Sequence, residues 1–224
     1  MKTRLLSLLL LAAICVSFTT PGYCKKKKKS TSSSTSTARF DYYLLTLSWA
    51  PEFCATNASG GRNSTECDPD KHMGLVVHGL WPQYNNGKWP QDCASTLPVS
   101  SATVNHMLPI MPGKQLIQHE WAKHGTCSGL TVKDYFAAIE KLYTGLTIPE
   151  DFQQPSNSVR TTATDIEAKF ATANNAPKEA FRVSCPQNEF SAVEICLTKA
   201  LSYQTCPTTV KECRASKVTV RPVP

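Results

Sequence analysis

The pattern of apolar and polar positions predicts short strands and helices throughout the chain after residue 40. Two runs rich in aromatic and aliphatic residues, 41–49 and 74–81, predict buried strands, the second of which should end at Pro82. Near the other end, the apolar runs 181–184 and 193–198 predict two more strands. The polar stretch between the first two strands predicts a loop.

Helical spacing appears in three places. Residues 114–124 predict a short helix with Gly125 as its C-terminal cap, and residues 131–143 predict a longer helix that carries an apolar stripe. A third helix is predicted over 164–173, opened by Thr164 at capping-box spacing. Because strands and helices mix without regular βαβ alternation, the predicted class is α+β, in a single domain.

The first 38 residues differ in composition from everything that follows. A basic start and an apolar run of about ten residues predict a signal peptide over 1–24, since the run is too short to span a bilayer. The five lysines and the Ser/Thr tract that follow cannot bury apolar surface, so 25–38 should be a disordered tether. The remaining residues, 39–224, should form the single folded domain, and no transmembrane segment is expected after signal cleavage.

Composition indicates a globular protein. The net positive charge lies before residue 30, so it does not indicate a basic binding surface on the body. With 41% hydrophobic and 18% charged residues, neither a wholly disordered chain nor a polytopic membrane protein is expected. The net charge of +7 equals the seven cations that precede residue 30, so the body is formally neutral. The lysine run could contact anionic lipid or RNA, or it could be a solvated spacer.

Cysteine number supports export. Eight cysteines remain when Cys15 and Cys24 leave with the signal peptide, and an even number on an exported chain predicts four disulfides. Spacing alone leaves about 105 pairings open. The expected location is therefore secreted or periplasmic.

Three of the five histidines lie in two compact segments, 78–82 and 119–127. At 100° per residue, His119, Glu120, Lys123 and His124 fall within an arc of about 140° on one helix face. Such a concentration of ionisable groups, beside a tryptophan, predicts a catalytic site rather than a solvated face.

A zinc site is the nearest alternative. The familiar zinc motif places two histidines four residues apart on one helix face, whereas His119 and His124 are five apart. Lys123 would also place a cation where the metal would bind. The sequence therefore favours chemistry without a metal or any other cofactor.

Two imidazoles, an ammonium and a carboxylate suit proton transfer around a phosphate. One neutral histidine can remove a proton while a charged one donates another, and a lysine can stabilise negative charge on phosphorus. RNA supplies its own nucleophile, the 2′-OH, so RNA and not DNA is the expected substrate.

The two segments resemble the characteristic active-site segments of the ribonuclease T2 family of acid endoribonucleases, and 111–117 is similar to its bacterial branch. Residues 45–54 are similar to the first strand of the family, and 195–197 with 206–207 resemble its C-terminal strand pair. The resemblance implies a central antiparallel sheet flanked by helices and stapled by disulfides. It implies four pairs: Cys54–Cys67, Cys93–Cys127, Cys185–Cys213 and Cys196–Cys206.

The resemblance also implies roles for five side chains. His78 would be the general acid and His124 the general base, an assignment that could be reversed. His119 would bind the phosphate, and Glu120 with Lys123 would stabilise the transition state. The products would be a 2′,3′-cyclic phosphate and then a 3′-phosphate.

Substrate recognition would involve Trp81 and Gln83. Trp81 resembles the residue that stacks on a base, which suits low base specificity because every base has a stacking face. Gln83 occupies a position where some fungal relatives carry an acidic residue, so base preference does not transfer. A monomer is expected, and the alternative function is a non-catalytic, secreted RNA-binding module on the same fold.

Overall fold

The structure, a computed structural model, describes residues 39–57 and 65–224. The predicted signal peptide and tether lie outside these residues. Within the described part of the chain, no helix has both the length and the apolar character needed to cross a bilayer.

A four-stranded antiparallel sheet forms the centre of the domain. Its strands lie in the order β2-β1-β5-β4, which places β2 and β4 at the two edges. A separate pair, β3 and β6, forms a two-stranded antiparallel sheet. The strands are β1 Tyr42–Trp49, β2 Leu75–Gln83, β3 Val159–Thr161, β4 Phe181–Ser184, β5 Ala192–Leu197 and β6 Val218–Val220.

Helices cover the core face of this sheet and confirm the α+β class. The helices are α1 Ala50–Thr56, α2 Ser101–Met107, α3 Lys114–Lys123, α4 Val132–Thr144 and α5 Ala163–Ala173. The buried side of α4 includes Phe136 and Ile139, as its apolar stripe predicts, and that of α5 includes Ile166 and Phe170. All four side chains belong to the main hydrophobic core.

Alternation along β1 separates two apolar clusters. Leu45 and Leu47 point into the main core, whereas Tyr42 and Leu44 belong to a smaller cluster on the opposite face, next to the Cys196–Cys206 disulfide. The opposite face is therefore only partly covered, and the polar end of β1 lies on it.

Strand β2 does not end at Pro82, contrary to the sequence prediction. Pro82 is paired with Tyr43, and the strand continues to Gln83. Because β2 is an edge strand, a residue without an N–H can lie within it when that side of the strand has no partner.

The ends of two helices also differ from the predictions. The side chain of Thr162, not Thr164, caps α5 by accepting a hydrogen bond from the backbone N–H of Asp165. Gly125 does not end α3 in a left-handed cap, because the chain runs on into a 3-10 turn, Gly125–Cys127. A side chain at Gly125 would overlap the ring of Trp121, so close packing explains this glycine.

Four disulfides join the cysteine pairs that the family resemblance implied. Cys93–Cys127 ties the loop after β2 to the turn that follows α3. Cys185–Cys213 links the end of β4 to the C-terminal segment, on the far side of the sheet from β2. The fold is therefore fastened at both edges of its central sheet.

Candidate active site

A β-bulge places His78 on the open face of the sheet. Gly79 pairs with Thr46 and Val77 pairs with Leu47, which leaves His78 as the extra residue between the two pairs. A bulge changes which face the following side chains occupy. Accordingly Val77 and Leu80, three residues apart, both enter the main core.

Both ring nitrogens of His78 face a polar group. Nδ1 lies 3.2 Å from the hydroxyl oxygen of Ser48, the polar residue near the end of β1. Nε2 lies 3.7 Å from Oε1 of Glu120 on α3, and the imidazole remains 43% exposed. The ring is thus oriented by one strand and directed towards a helix, with an open side for a substrate.

Helix α3 supplies the other ionisable groups because its apolar side anchors it to the core. Ile117 and Trp121 are buried in that core. Glu120 is only 1% exposed, whereas His119 points to solvent. The rings of His119 and His124 lie 6.5 Å apart between centroids, so the helix brings these groups to one place, as its periodicity predicts.

Trp81 lies close to both catalytic candidates, His78 and His124. Its ring centroid is 5.3 Å from that of His78 and 5.5 Å from that of His124. Its indole N–H donates a hydrogen bond of 2.6 Å to Oε2 of Glu120. The structure therefore brings His78, Glu120 and His124 together around one tryptophan.

Gly79 makes room for this contact. A side chain at Gly79 would overlap both the carboxylate of Glu120 and the indole nitrogen of Trp81. A residue without a Cβ is therefore required where helix α3 approaches strand β2.

The end of α3 is held by the loop that follows β2. The backbone N–H of Asp92 donates to the carbonyl oxygen of Lys123 at 2.8 Å, and the next residue, Cys93, forms its disulfide with Cys127. These links fix the backbone on both sides of His124. The imidazole of His124 is 7% exposed, and its Nδ1 has no hydrogen-bond partner among residues 39–57 and 65–224.

Burial shifts the pKa values of both histidines downwards. Desolvation, with smaller contributions from the cations Lys123, His119 and His78, lowers the pKa of His124 to about 4. Desolvation, aided by His119, also lowers the pKa of His78. Both shifts follow from the cost of placing an imidazolium away from water or near other cations.

The same burial has the opposite effect on Glu120. Desolvation raises the pKa of its carboxyl group to about 7, while the hydrogen bond from Trp81 and the charge of Lys123 act in the other direction. Glu120 therefore exchanges a proton near neutrality beside His78. Such perturbed groups, clustered in one place, are typical of active sites.

Gln83 follows Trp81 by two residues on β2 but is only 8% exposed. Among the residues that the structure describes, no three His, Cys, Asp or Glu side chains are grouped so that they could hold a metal ion.

Two side chains at the site, Ser48 and Asp92, were not predicted from the sequence. Ser48 contacts His78, and Asp92 acts on His124 by raising its pKa. Alternation along β1 could have placed Ser48 on the open face, because its neighbours Leu47 and Trp49 are apolar. No comparable signal marks Asp92, since its position depends on a loop.

Comparison with known proteins identifies the protein family to which the chain belongs. The sequence model of the Ribonuclease T2 family matches residues 40–206, a range that contains both histidine segments. The chain belongs to the ribonuclease T2 family.

Individual relatives agree with this assignment. The chain is 37% identical over 123 residues to a probable ribonuclease of Haemophilus influenzae, covering 50% of this chain but only 45% of that protein. It is 30% identical over 198 residues to ribonuclease S-4 of Pyrus pyrifolia, covering 77% and 82% of the two chains. Among solved structures, an RNase-related protein from Calystegia sepium matches with a TM-score of 0.65 and 25% identity, covering 82% of this chain and 97% of that one.

Proposed function

We propose that the protein is an endoribonuclease that cleaves single-stranded RNA by attack of the ribose 2′-OH on the adjacent phosphate. The observation that carries this proposal is that the rings of His78 and His124 both lie close to Trp81, at 5.3 and 5.5 Å between centroids, with Glu120 hydrogen-bonded to the same indole. Membership of the ribonuclease T2 family supports the same activity.

His124 is the better candidate for the general base. A base must be neutral before it accepts a proton, and the low pKa of His124 keeps it neutral in all but strongly acidic solution. It would take the proton of the 2′-OH as the 2′-oxygen forms its bond to phosphorus.

His78 then serves as the general acid. Its exposed Nε2 edge would deliver a proton to the departing 5′-oxygen as the bond from phosphorus to that oxygen breaks. The first product is a 2′,3′-cyclic phosphate, which water opens to a 3′-phosphate with the two histidines in exchanged roles.

His119, Glu120 and Lys123 would bind the phosphate and stabilise its added negative charge. Lys123 lies close enough to lower the pKa of both Glu120 and His124. A protonated Glu120, favoured by its raised pKa, donates a hydrogen bond to a phosphoryl oxygen without adding a second negative charge.

Base stacking requires an exposed aromatic face. The ring of Trp81 already lies against two imidazoles, whereas Trp89, in the loop between β2 and Cys93, is 51% exposed. Trp89 lies three residues before Asp92, whose backbone N–H donates to the carbonyl oxygen of Lys123. We therefore propose Trp89 as a second stacking residue in addition to Trp81, with low base specificity as the consequence. Replacing Trp89 with alanine should raise KM for RNA by about 5- to 100-fold if stacking contributes 1–3 kcal/mol.

The four disulfides support a secreted or periplasmic location, because such bonds persist in oxidising compartments. We propose that the protein is a monomer, which size-exclusion chromatography with light scattering tests directly.

The decisive experiment is digestion of a mixed-sequence RNA in EDTA, followed by identification of the fragment ends. We expect cleavage with cyclic and 3′-phosphate ends, and no cleavage of DNA of the same sequence. A folded His124→Ala variant should lose activity by several orders of magnitude. Binding of RNA without turnover would instead support a non-catalytic module, and loss of activity in EDTA would support a metal enzyme.

A further inference from the structure

Strand β1 presents a hydroxyl to the buried side of the His78 ring. Ser48 Oγ lies 3.2 Å from Nδ1, on the opposite side of the imidazole from the Nε2 that approaches Glu120. Main-chain pairing fixes the backbone that carries this hydroxyl, because Ser48 is paired with Val76 on β2 and with Ala192 on β5. The contact is therefore made by a rigid element in the middle of the sheet.

We propose that Ser48 is a positioning residue that accepts a hydrogen bond from Nδ1–H of His78 and so reserves Nε2 for proton transfer to the substrate. This role rests on the proposed function of His78 as the general acid. Ser48 would not touch the reacting phosphate.

The position of the protons on His78 before and after transfer explains why a hydrogen bond from Nδ1–H to Ser48 is useful. In the charged ring both nitrogens carry hydrogen, so Nδ1–H donates to Ser48 while Nε2–H faces the leaving oxygen. When Nε2 gives up its proton, the neutral ring keeps its hydrogen on Nδ1 and its bond to Ser48. The ring therefore needs no rotation between the two states, and the same Nε2 is ready to take up a proton in the second step.

A hydroxyl at this position has a different effect from a carboxylate. A carboxylate on Nδ1 would stabilise the imidazolium and raise the pKa of His78. A neutral hydroxyl orients the ring with little charge compensation, which agrees with the lowered pKa of His78. The charged and titratable groups near the ring are Glu120 at 3.7 Å, His119, which lowers its pKa, and His124, whose own pKa is lowered by His78.

The next polar residue on the same face of β1 provides a matched control. Thr46 is 4% exposed, and its hydroxyl has no hydrogen-bond partner within 39–57 and 65–224. Thr46→Val therefore removes from the same strand face a buried hydroxyl that makes no hydrogen bond to His78. It should leave both the pH profile and the His78 spectrum unchanged.

The test combines kinetics with ¹⁵N NMR of the histidine rings in the full chain. In the wild type, neutral His78 should carry its proton on Nδ1, and Ser48→Ala should lose this preference. The variant should lose about 3- to 10-fold in kcat with little change in KM, as expected for one neutral hydrogen bond. Ser48→Thr keeps the hydroxyl and should therefore retain most of the wild-type kcat. Ser48→Asp should shift the alkaline limb of the pH profile to higher pH.

Two results would overturn the proposal. One is a neutral His78 that carries its proton on Nε2 in the wild type. The other is a Ser48→Ala variant whose kcat, pH profile and ring spectrum match those of the wild type. Because the NMR measurement does not need turnover, a wild type that fails to cleave RNA would refute the proposed function while the ring spectrum still decides the role of Ser48.

Discussion

Oε2 of Glu120 accepts a 2.6 Å hydrogen bond from the indole N–H of Trp81, although the two residues lie 39 positions apart. The bond joins the edge strand β2 to helix α3 at the site. It fixes one oxygen of a buried carboxyl group and leaves Oε1 towards His78.

Trp81→Phe should keep the aromatic ring but lose this bond. Because Glu120 is protonated at the acid optimum, the bond joins two neutral groups and contributes about 0.5–1.5 kcal/mol, so kcat should fall by about 2- to 10-fold. The pKa of Glu120 should also rise, since the bond from Trp81 lowers it. Steady-state kinetics and ¹³C NMR of the carboxyl group measure the two effects. Unchanged kcat in a folded Trp81→Phe variant would show that the bond has no part in catalysis.

The pH profile of kcat/KM should be bell-shaped, with its optimum on the acid side of neutral. Activity should rise as His124 loses its proton, with a limb near pH 4, and should fall as His78 loses its proton at a pKa below its ordinary 6.5. His106, which is bonded to Glu140 away from the site, provides the control. His106→Asn should leave the profile unchanged, and an optimum above pH 7 would contradict these assignments.

Glu120→Gln should lower activity but raise stability in alkaline solution. The folded-state pKa of about 7 exceeds the ordinary 4.5, so the folded state holds this proton longer than the unfolded state. The free energy of unfolding therefore falls as pH rises from 4.5 to 7, by up to about 3 kcal/mol at 1.36 kcal/mol per pKa unit. Glutamine does not ionise, so the free energy of unfolding of Glu120→Gln should exceed that of the wild type increasingly across that pH range and at higher pH.

Urea denaturation at pH 4.5 and pH 8 measures this difference. Glu150→Gln, a change at an exposed position, is the control and should show no comparable dependence on pH. Equal stability of Glu120→Gln and the wild type at pH 8 would indicate that burial of the carboxyl group costs nothing.

Loss of the Cys93–Cys127 disulfide should affect both stability and activity. The two cysteines are 34 positions apart, and chain-entropy arguments give about 3–4 kcal/mol for a loop of this size. The double serine variant should also have a lower kcat, because the backbone around His124 loses an anchor. Thermal denaturation and kinetics well below Tm separate the two effects.

The Cys185–Cys213 pair is the matched control. Its separation of 28 positions predicts a similar cost in stability, but it lies at the far edge of the sheet from β2. Its double serine variant should keep its kcat when folded. Equal losses of kcat in both double variants would mean that only general stability is involved.

The sequence predicts most of the central sheet because its strands are marked by apolar runs between breakers. β4 has the predicted limits, and α4 begins after Thr131, whose side chain caps it as predicted. Helices α1 and α2 and the small sheet of β3 and β6 were not predicted, since they are short and take their stability from tertiary contacts.

The sequence predicts that the ionisable residues of α3 lie close together, but it does not predict how they are arranged around Trp81. Helical periodicity groups the ionisable residues of α3, and the other segment, 78–82, supplies Trp81 and His78. Neither the bulge at His78 nor the Trp81–Glu120 bond leaves a periodic signal, because both depend on how two distant segments meet.

Because of the bulge at His78, the geometry of the site depends on the number of residues between Val77 and Leu80 as well as on their identity. Deleting Gly79 would let β2 form a regular ladder with β1 and would place His78 opposite Thr46, where a Cβ overlaps the carboxylate of Glu120 and the indole nitrogen of Trp81. Insertions or deletions in this short stretch should therefore abolish catalysis even when every catalytic side chain is retained.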